Sequence, residues 1–348
     1  MCAKILGLSL AALSCVALAS DEKVDTRKGL SIYFVDTEGG AATLIVTPAG
    51  ESVLIDSGNP GERDPGRIHR TAKETAGLVR IDHYATTHWH NDHVGGIGRL
   101  TELIPVEYFY DRGFEPPPDP GLDSKLREAY KKASREKSKV LKPGDAIPLK
   151  SLSGGPALSL RCIVANSRLE GEGDSLPPPS PPCAEHPSRP IDSSDNAKSL
   201  GFVLRFGEFD FLDLGDLTWN VEHRLVCPKN RIGAVDVYQV THHGLDQSNN
   251  PALVRAVSPR VAVVNNGPRK GGAKSVFATL KSLPGIEAVF QLHRNATTGP
   301  EDNAPPAHIA NSEPDCAGEP VSISVAPDGK AYTVQVGRAG LRREFAVR

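Results

Sequence analysis

Ile81-Asp82-His83-Tyr84-Ala85-Thr86-Thr87-His88-Trp89-His90-Asn91-Asp92-His93-Val94-Gly95-Gly96 decides the reading of this chain. An apolar, strand-like run ends in a loop that holds three histidines and an aspartate within six residues. His88 and His90 are two apart, so on an extended backbone they point the same way. Asp92 and His93 follow where the chain must turn, and their side chains diverge to a second point. That arrangement suits two cations sharing a water. Imidazole with carboxylate favours zinc, with manganese or iron as the other options.

The stretches around it repeat one plan, a strand running into a polar turn. Leu30–Val35 and Ala41–Val46 read as a hairpin around Asp36-Thr37-Glu38-Gly39-Gly40, and Val53–Ile55 as a third strand ending at Asp56. Asp56, at a strand end before a glycine, is placed to hydrogen-bond and orient the histidine loop. Arg67–Leu78 has helical spacing, and Ile97–Leu103 reads as a short helix. Ser124–Lys137 shows only a thin apolar face, which predicts a lid or a solvated helix.

In the second half, Asn196 precedes a strand, Gly201–Phe206, and Phe209–Leu212 leads into Asp213-Leu214-Gly215-Asp216. Asp216 stands where a bridging carboxylate is needed. Val235–Val240 runs into Thr241-His242-His243-Gly244. On an extended chain two adjacent histidines point opposite ways, so His242 is expected to face the metals. His243 is then left to contact substrate, move protons or pack. The loop Asn265–Gly272 is glycine-rich and basic, a phosphate cradle or a plain solvated turn, and His293 ends the next strand. Strands alternating with helices after a strand-rich first half predict helices covering a sheet.

Charged residues are 24% of the chain and the net charge is −2, so no electrostatic footprint for nucleic acid or an anionic membrane is present. Met1–Ala19 has the form of a secretory signal with a small-x-small end at Ala17-Leu18-Ala19, too short an apolar run for a span. A lipidated Cys15 is the lesser alternative. Export predicts a secreted or periplasmic protein with no membrane span in the mature chain, in which Cys162, Cys183, Cys227 and Cys316 form structural bridges. Three pairings are open. The lack of Cys-x-x-Cys spacing argues against a cysteine metal cluster. Residues 28–348 read as one domain, with a proline-rich insertion loop at about 168–194.

Asp56, the His88–His93 motif, Asp216 and His242 occur in the order and contexts of the metallo-β-lactamase superfamily, which this chain resembles from Leu30 to His293. Gly39-Gly40, Ile55-Asp56-Ser57-Gly58, Asn196 to Leu200, Gly215-Asp216 and His242-His243-Gly244 resemble most the hydrolase domain of ComEC-type competence proteins. The resemblance implies an αββα sandwich of two mixed sheets flanked by helices, with a metal pair at one edge. It implies that His88 and His90 hold the first metal and that Asp92, His93 and His242 hold the second, with Asp216 bridging. It implies hydrolysis by a metal-bound hydroxide, with Asp92 and His243 as the catalytic side chains. A further histidine that many superfamily hydrolases give the first metal has no counterpart here except His186, inside the proline-rich loop. The first site is then completed by water, Asn196, His293 or substrate, or stays empty. The acidic hairpin departs from the form usual in the competence branch and argues against a nuclease. The expectation is a di-zinc hydrolase of phosphomonoesters or phosphodiesters. The alternatives are a lactone, lactam or thioester hydrolase, and a metal-stabilised binding protein without turnover.

Overall fold

The structure is a computed structural model that describes residues 29–119, 124–173, 183 and 187–348. The leader at Met1–Ala19, the proline run at 177–182 and His186 lie outside the described residues.

The first half supplies β1 (Leu30–Phe34), β2 (Thr43–Val46), β3 (Ser52–Ile55), β4 (Ile81–Ala85), β5 (Val106–Asp111) and β6 (Lys139–Val140). Then follow β7 (Ala146–Ile147), β8 (Leu158–Ala165), β9 (Arg168–Leu169), β10 (Gly201–Phe206), β11 (Phe209–Asp213), β12 (Val237–Gln239), β13 (Val261–Val264), β14 (Ala288–His293) and β15 (Ile309–Asn311). The C-terminal meander is β16 (Val321–Val325), β17 (Ala331–Val336) and β18 (Arg342–Ala346). Among the described residues one sheet has the order β18-β17-β16-β1-β2-β3-β4-β5-β6 and the other β15-β14-β13-β12-β11-β10-β8-β7. Both are mixed. β3 pairs with β4 and β4 with β5 in parallel, as do β11 to β15 in succession, and the remaining ladders in that order, apart from the parallel pair β5–β6, are antiparallel.

Burial follows from the sequence period. β1 (LSIYF) and β16 (VSISV) alternate buried and half-buried residues, while β4 (IDHYA) and β13 (VAVV) are buried throughout because both faces are covered. Leu30, Ile32 and Phe34 of one sheet meet Phe202, Phe211 and Phe290 of the other in the central core, with Phe34 edge-on to Phe211 at 5.8 Å. Two outer cores lie under helices. Ile68, Ile97, Leu100 and Tyr130 pack on the first sheet, and Leu225, Leu253 and Phe277 on the second. The architecture is the expected αββα sandwich of two mixed sheets between helices.

Two local expectations change and one open choice closes. The helix read at Arg67–Leu78 begins earlier, as α1 (Arg63–Arg70), and continues through a wide π turn at Thr71–Thr75; Pro65 fits because it lies in the first turn, where its missing N–H is not needed. The charged helix, α2 (Ser124–Ser134), is the solvated alternative and not a lid, with only Tyr130 and Ser134 buried. Buried Tyr130 docks it against Trp89 at 4.9 Å and Phe109 at 6.1 Å, and its hydroxyl donates to Asp111 Oδ2 at 2.7 Å. One large side chain does what the thin aliphatic face could not. Of the four cysteines, Cys183 and Cys227 are bridged, whereas Cys162 and Cys316 are free. Cys162 is locked in the central core, where burial pushes its thiol up to about 12.

Candidate metal centre

The expected site residues other than Asn196, which lies in a 3-10 turn before β10, sit at or just past the C-terminal end of a strand: Asp56 after β3, the histidine loop after β4, Asp216 after β11, the His242–His243 pair after β12 and His293 at the end of β14. Parallel strands point these ends the same way, so residues far apart in sequence meet at one edge, where open α/β sheets place their ligands. Gly215 is what allows the close meeting of the two halves. Its φ of +54 is left-handed, and a Cβ there would stand 2.8 Å from the Thr87 side chain.

Asp216 Oδ2 is the centre of the cluster. It lies 3.1 Å from His93 Nε2, 3.3 Å from His243 Nε2, 3.4 Å from His242 Nε2 and 3.9 Å from His88 Nε2. Asp92 Oδ2 closes one side, 3.2 Å from His243 Nε2 and 3.5 Å from His93 Nε2. On the other side Asn196 Nδ2 stands 3.4 Å from His242 Nε2. The His88 and His90 rings lie 4.6 Å apart, edge to face. His90 Nε2 is paired with Asp119 Oδ2 at 3.2 Å.

The expectation that adjacent histidines diverge is corrected. His242 (φ 56, ψ 47) and His243 (φ 53, ψ 16) are both left-handed, so strand alternation does not apply and both rings reach Asp216. It is His243, not His242, that stands with Asp92 and His93. Such a backbone is costly for two consecutive non-glycine residues and persists only where its surroundings enforce it. Here Asn249 Nδ2 donates to Thr241 O and Leu245 O, and the His242 N–H donates to Gly215 O. Glu222 in turn accepts the N–H groups of Asn249 and Asn250. His293 is a second correction. It does not join this cluster; its Nε2 lies 2.7 Å from Asp36 Oδ1.

Asp56 takes the orienting part. Its carboxylate lies 2.7 Å from His93 Nδ1 and accepts the Thr87 N–H at 2.7 Å and the Thr87 hydroxyl at 2.8 Å. One side chain thus fixes both a ring and the backbone that carries it. Behind the loop, Asp195 accepts the Trp89 N–H and forms a fully buried ion pair with Arg112.

Burial and neighbouring charges shift the titration of these groups in opposite directions. Burial, then His93, drives His88 well below the ordinary imidazole range, and burial brings His242 down to about 4. Burial disfavours charge on His93 too, but Asp216, Asp56 and Asp92 outweigh it and hold that ring well above the usual value. His243 is raised because Asp216 outweighs its burial. Asp216 and Asp92 stay ionised despite burial: His243 and His93 lead on the first, His93 and His243 on the second.

Three observations fit cations to this donor set. Buried His88 Nε2 has no hydrogen-bond partner although it faces Asp216, and neither has buried Asn196 Oδ1. His93 Nε2 and His243 Nε2 confront each other at 3.3 Å, a spacing that two nitrogens tolerate through a shared proton or a shared cation. The ligand atoms of Asp92, His93, Asp216 and His243 all lie within 4.8 Å of one another. Cations would displace the protons held on His93 and His243.

Sequence reasoning missed Asp119, Asp195, Arg112 and the part played by Lys270. Lys270 Nζ lies 2.5 Å from Asp92 Oδ2, so the glycine-rich loop is not a plain solvated turn. Asn295, within the sequon-like Asn295-Ala296-Thr297, is buried and donates to Gly271 O and Gly272 O, tying that loop down. Lys270 was legible only as one basic residue in a loop; pairing with a carboxylate 178 positions away carries no local signal.

Residues 35–157 match the family model of the metallo-beta-lactamase superfamily. Among curated relatives, thioesterase pkgB of Emericella nidulans is 28% identical over 109 residues, 31% of this chain and 30% of that protein. Atrochrysone carboxyl ACP thioesterase of Aspergillus terreus is 35% identical over 66 residues, 19% of this chain and 20% of that protein. The matches therefore span less than a third of either relative. Among solved structures, CmlA, a diiron β-hydroxylase from Streptomyces venezuelae, is 17% identical with a TM-score of 0.38, over 68% of this chain and 44% of that one. No helix among the described residues is long and apolar enough to cross a membrane.

Proposed function

We propose that this chain is a metal-dependent hydrolase that holds two divalent cations, zinc by its donor set, and cleaves a phosphomonoester or phosphodiester. The observation that carries the proposal is one carboxylate oxygen, Asp216 Oδ2, set between four imidazole nitrogens at 3.1 to 3.9 Å. His88, His90, Asp92, His93, Asp216, His242 and His243 would hold the cations. Two cations there would lower the pKa of a water and neutralise charge developing on the substrate.

The chain's own residues supply orientation and charge. Asp56 fixes the His93 ring so that Nε2 faces the centre. Asp92 Oδ2 and His243 Nε2, 3.2 Å apart, are placed to share one cation. Lys270 brings an ammonium to the same carboxylate, where it can neutralise an anionic group of the substrate, and this favours a phosphoester. A cleft of about 480 Å³ opens beside Asn196 and Thr218, with the Arg189 guanidinium 3.6 Å above the Trp219 ring. It gives the remainder of a substrate an aromatic and cationic surface.

A second reading, hydrolysis of a thioester, lactone or lactam, is favoured by the two fungal thioesterases. The test is a panel of nitrophenyl phosphomonoester, phosphodiester, acyl thioester, lactone and chromogenic lactam, run on metal-loaded protein and on Asp216→Asn. Phosphoester turnover lost in the variant supports the proposal. Turnover confined to the acyl substrates transfers it to the second reading, and two bound cations with no turnover leaves a binding protein. Export is proposed on the leader-like Met1–Ala19 and the Cys183–Cys227 bridge. N-terminal sequencing of the protein recovered from its host tests it, since an intact Met1 overturns it.

A further inference from the structure

The acidic hairpin between β1 and β2, which the metal centre leaves unused, belongs to a second cluster. Asp36 and Glu38 of the hairpin meet His293 at the end of β14 and Cys316 in the loop before β16, with their ligand atoms all within 4.8 Å of one another. We propose that Asp36, His293 and Cys316, with Glu38 or a water completing the set, form a separate zinc site.

The chemistry of the set is what argues for it. A carboxylate, an imidazole and a thiol from three distant parts of the chain converge where Asp36 and His293 are fully buried and Cys316 is half-buried. The spacings bracket those of one coordination shell: His293 Nε2 to Asp36 Oδ1 is 2.7 Å, Cys316 Sγ to Asp36 Oδ2 is 3.6 Å and Cys316 Sγ to His293 Nε2 is 4.0 Å. Zinc bonds of about 2.0 to 2.3 Å at tetrahedral angles set ligand atoms roughly 3.3 to 3.6 Å apart. The short Asp36–His293 contact is a hydrogen bond, and its proton stands where the cation would sit.

Two guanidiniums flank the set. Arg67 holds Asp36 Oδ2 at 2.7 Å and Glu38 Oε1 at 3.1 Å, leaving Asp36 Oδ1 to His293, and Arg63 holds Glu38 Oε2 at 2.6 Å. With zinc on Asp36, His293 and a Cys316 thiolate, the two positive charges of the ion cancel the carboxylate and the thiolate, and Glu38 stays paired with the guanidiniums. Binding releases the Cys316 proton, and the proton between His293 and Asp36 leaves Nε2 for Nδ1 in a neutral ring. The ion would tie the hairpin to β14 and to the C-terminal loop. Because Ala41 N–H donates to Asp92 O at 3.1 Å, that hairpin also braces the histidine loop. Cysteine spacing gave no hint of this, since its single thiol meets Asp36, 280 positions away, and His293, 23 positions away.

The test uses full-length, metal-stripped protein whose Cys316 titrates as a thiol, loaded with cobalt(II) as a zinc substitute. The main centre has no sulfur ligand, so thiolate-to-cobalt charge transfer in the near ultraviolet reports the second site alone. The expected result is a band that saturates at one equivalent and is retained in Cys162→Ser and in Asp216→Asn. It is lost in Cys316→Ser and in His293→Gln, each compared at matched circular dichroism. If Cys316→Ser does not fold, His293→Gln decides. No thiolate band in the wild type at saturating cobalt overturns the site, and so does a band that survives either substitution in folded protein.

Discussion

Replacing Asp56 by Asn isolates what an orienting carboxylate contributes to the proposed metal centre. The two side chains have the same shape, and Asn tolerates the left-handed backbone that Asp56 adopts at φ 61. The change is therefore confined to hydrogen bonding. The carboxylate serves Thr87 N–H at 2.7 Å, Thr87 Oγ1 at 2.8 Å, His93 Nδ1 at 2.7 Å and Thr86 Oγ1 at 3.3 Å. An amide has one acceptor oxygen. If that oxygen stays on the Thr87 side, an NH2 group faces His93, and the ring loses the acceptor that fixes it. Hydrogen bonds to a charged group contribute about 1.5–3 kcal/mol each, so losing one or two lowers folding stability by roughly 2–5 kcal/mol. Outer-shell partners of metal-bound histidine typically govern about 10–100-fold in affinity, equivalent to about 1.4–2.8 kcal/mol. Chelator competition on wild type and Asp56→Asn reads the affinity, and urea unfolding of the metal-free proteins reads the stability. A folded variant that binds its metals within twofold of wild type would refute the argument.

Other outcomes follow from single features. Lys270→Ala should raise KM for an anionic substrate about 10-fold or more, with kcat less affected, because one charge-assisted contact is removed; steady-state kinetics on charged and neutral substrates separate the effects. Burial, with Asp56 nearby, lifts Asp213 to about 7. The folded protein thus keeps a proton that the unfolded chain loses above 3.8, so this contribution to stability is full at low pH and lost as pH rises to about 7, by at most roughly 4 kcal/mol. Asp213→Asn should gain on wild type across that window in urea melts at several pH values. Reducing the Cys183–Cys227 bridge, which closes a 44-residue loop, should lower stability by about 4 kcal/mol on the chain-entropy estimate, measured by unfolding with and without reductant. Arg112→Ala strands the buried Asp195 carboxylate and should cost about 3–5 kcal/mol, visible as a lowered urea midpoint.

The parts of the site that were legible share a property. His88, His90, Asp92 and His93 are neighbours in sequence, and a strand followed by a turn is enough to present them together. Asp56 and Asp216 were legible because each ends an apolar run. The choice between His242 and His243 was not, because it rests on a left-handed backbone that Asn249 and Glu222 hold from outside the strand. The docking of α2 through Tyr130 was not legible for a related reason, since Tyr130 finds its partners Trp89 and Phe109 only after the sheet has formed.

The sequence by itself determined the sandwich and the histidine loop, because hydrophobic period and ligand spacing act over a few residues and need no partner. Only the tertiary structure decided which histidine stands beside Asp92, that Lys270 reaches that same carboxylate, and that His293 lies with Asp36 and Cys316. Each of these is a contact between chain segments whose separation in sequence holds no periodic trace. Their energy exists only once two sheets have brought the strand ends to a common edge.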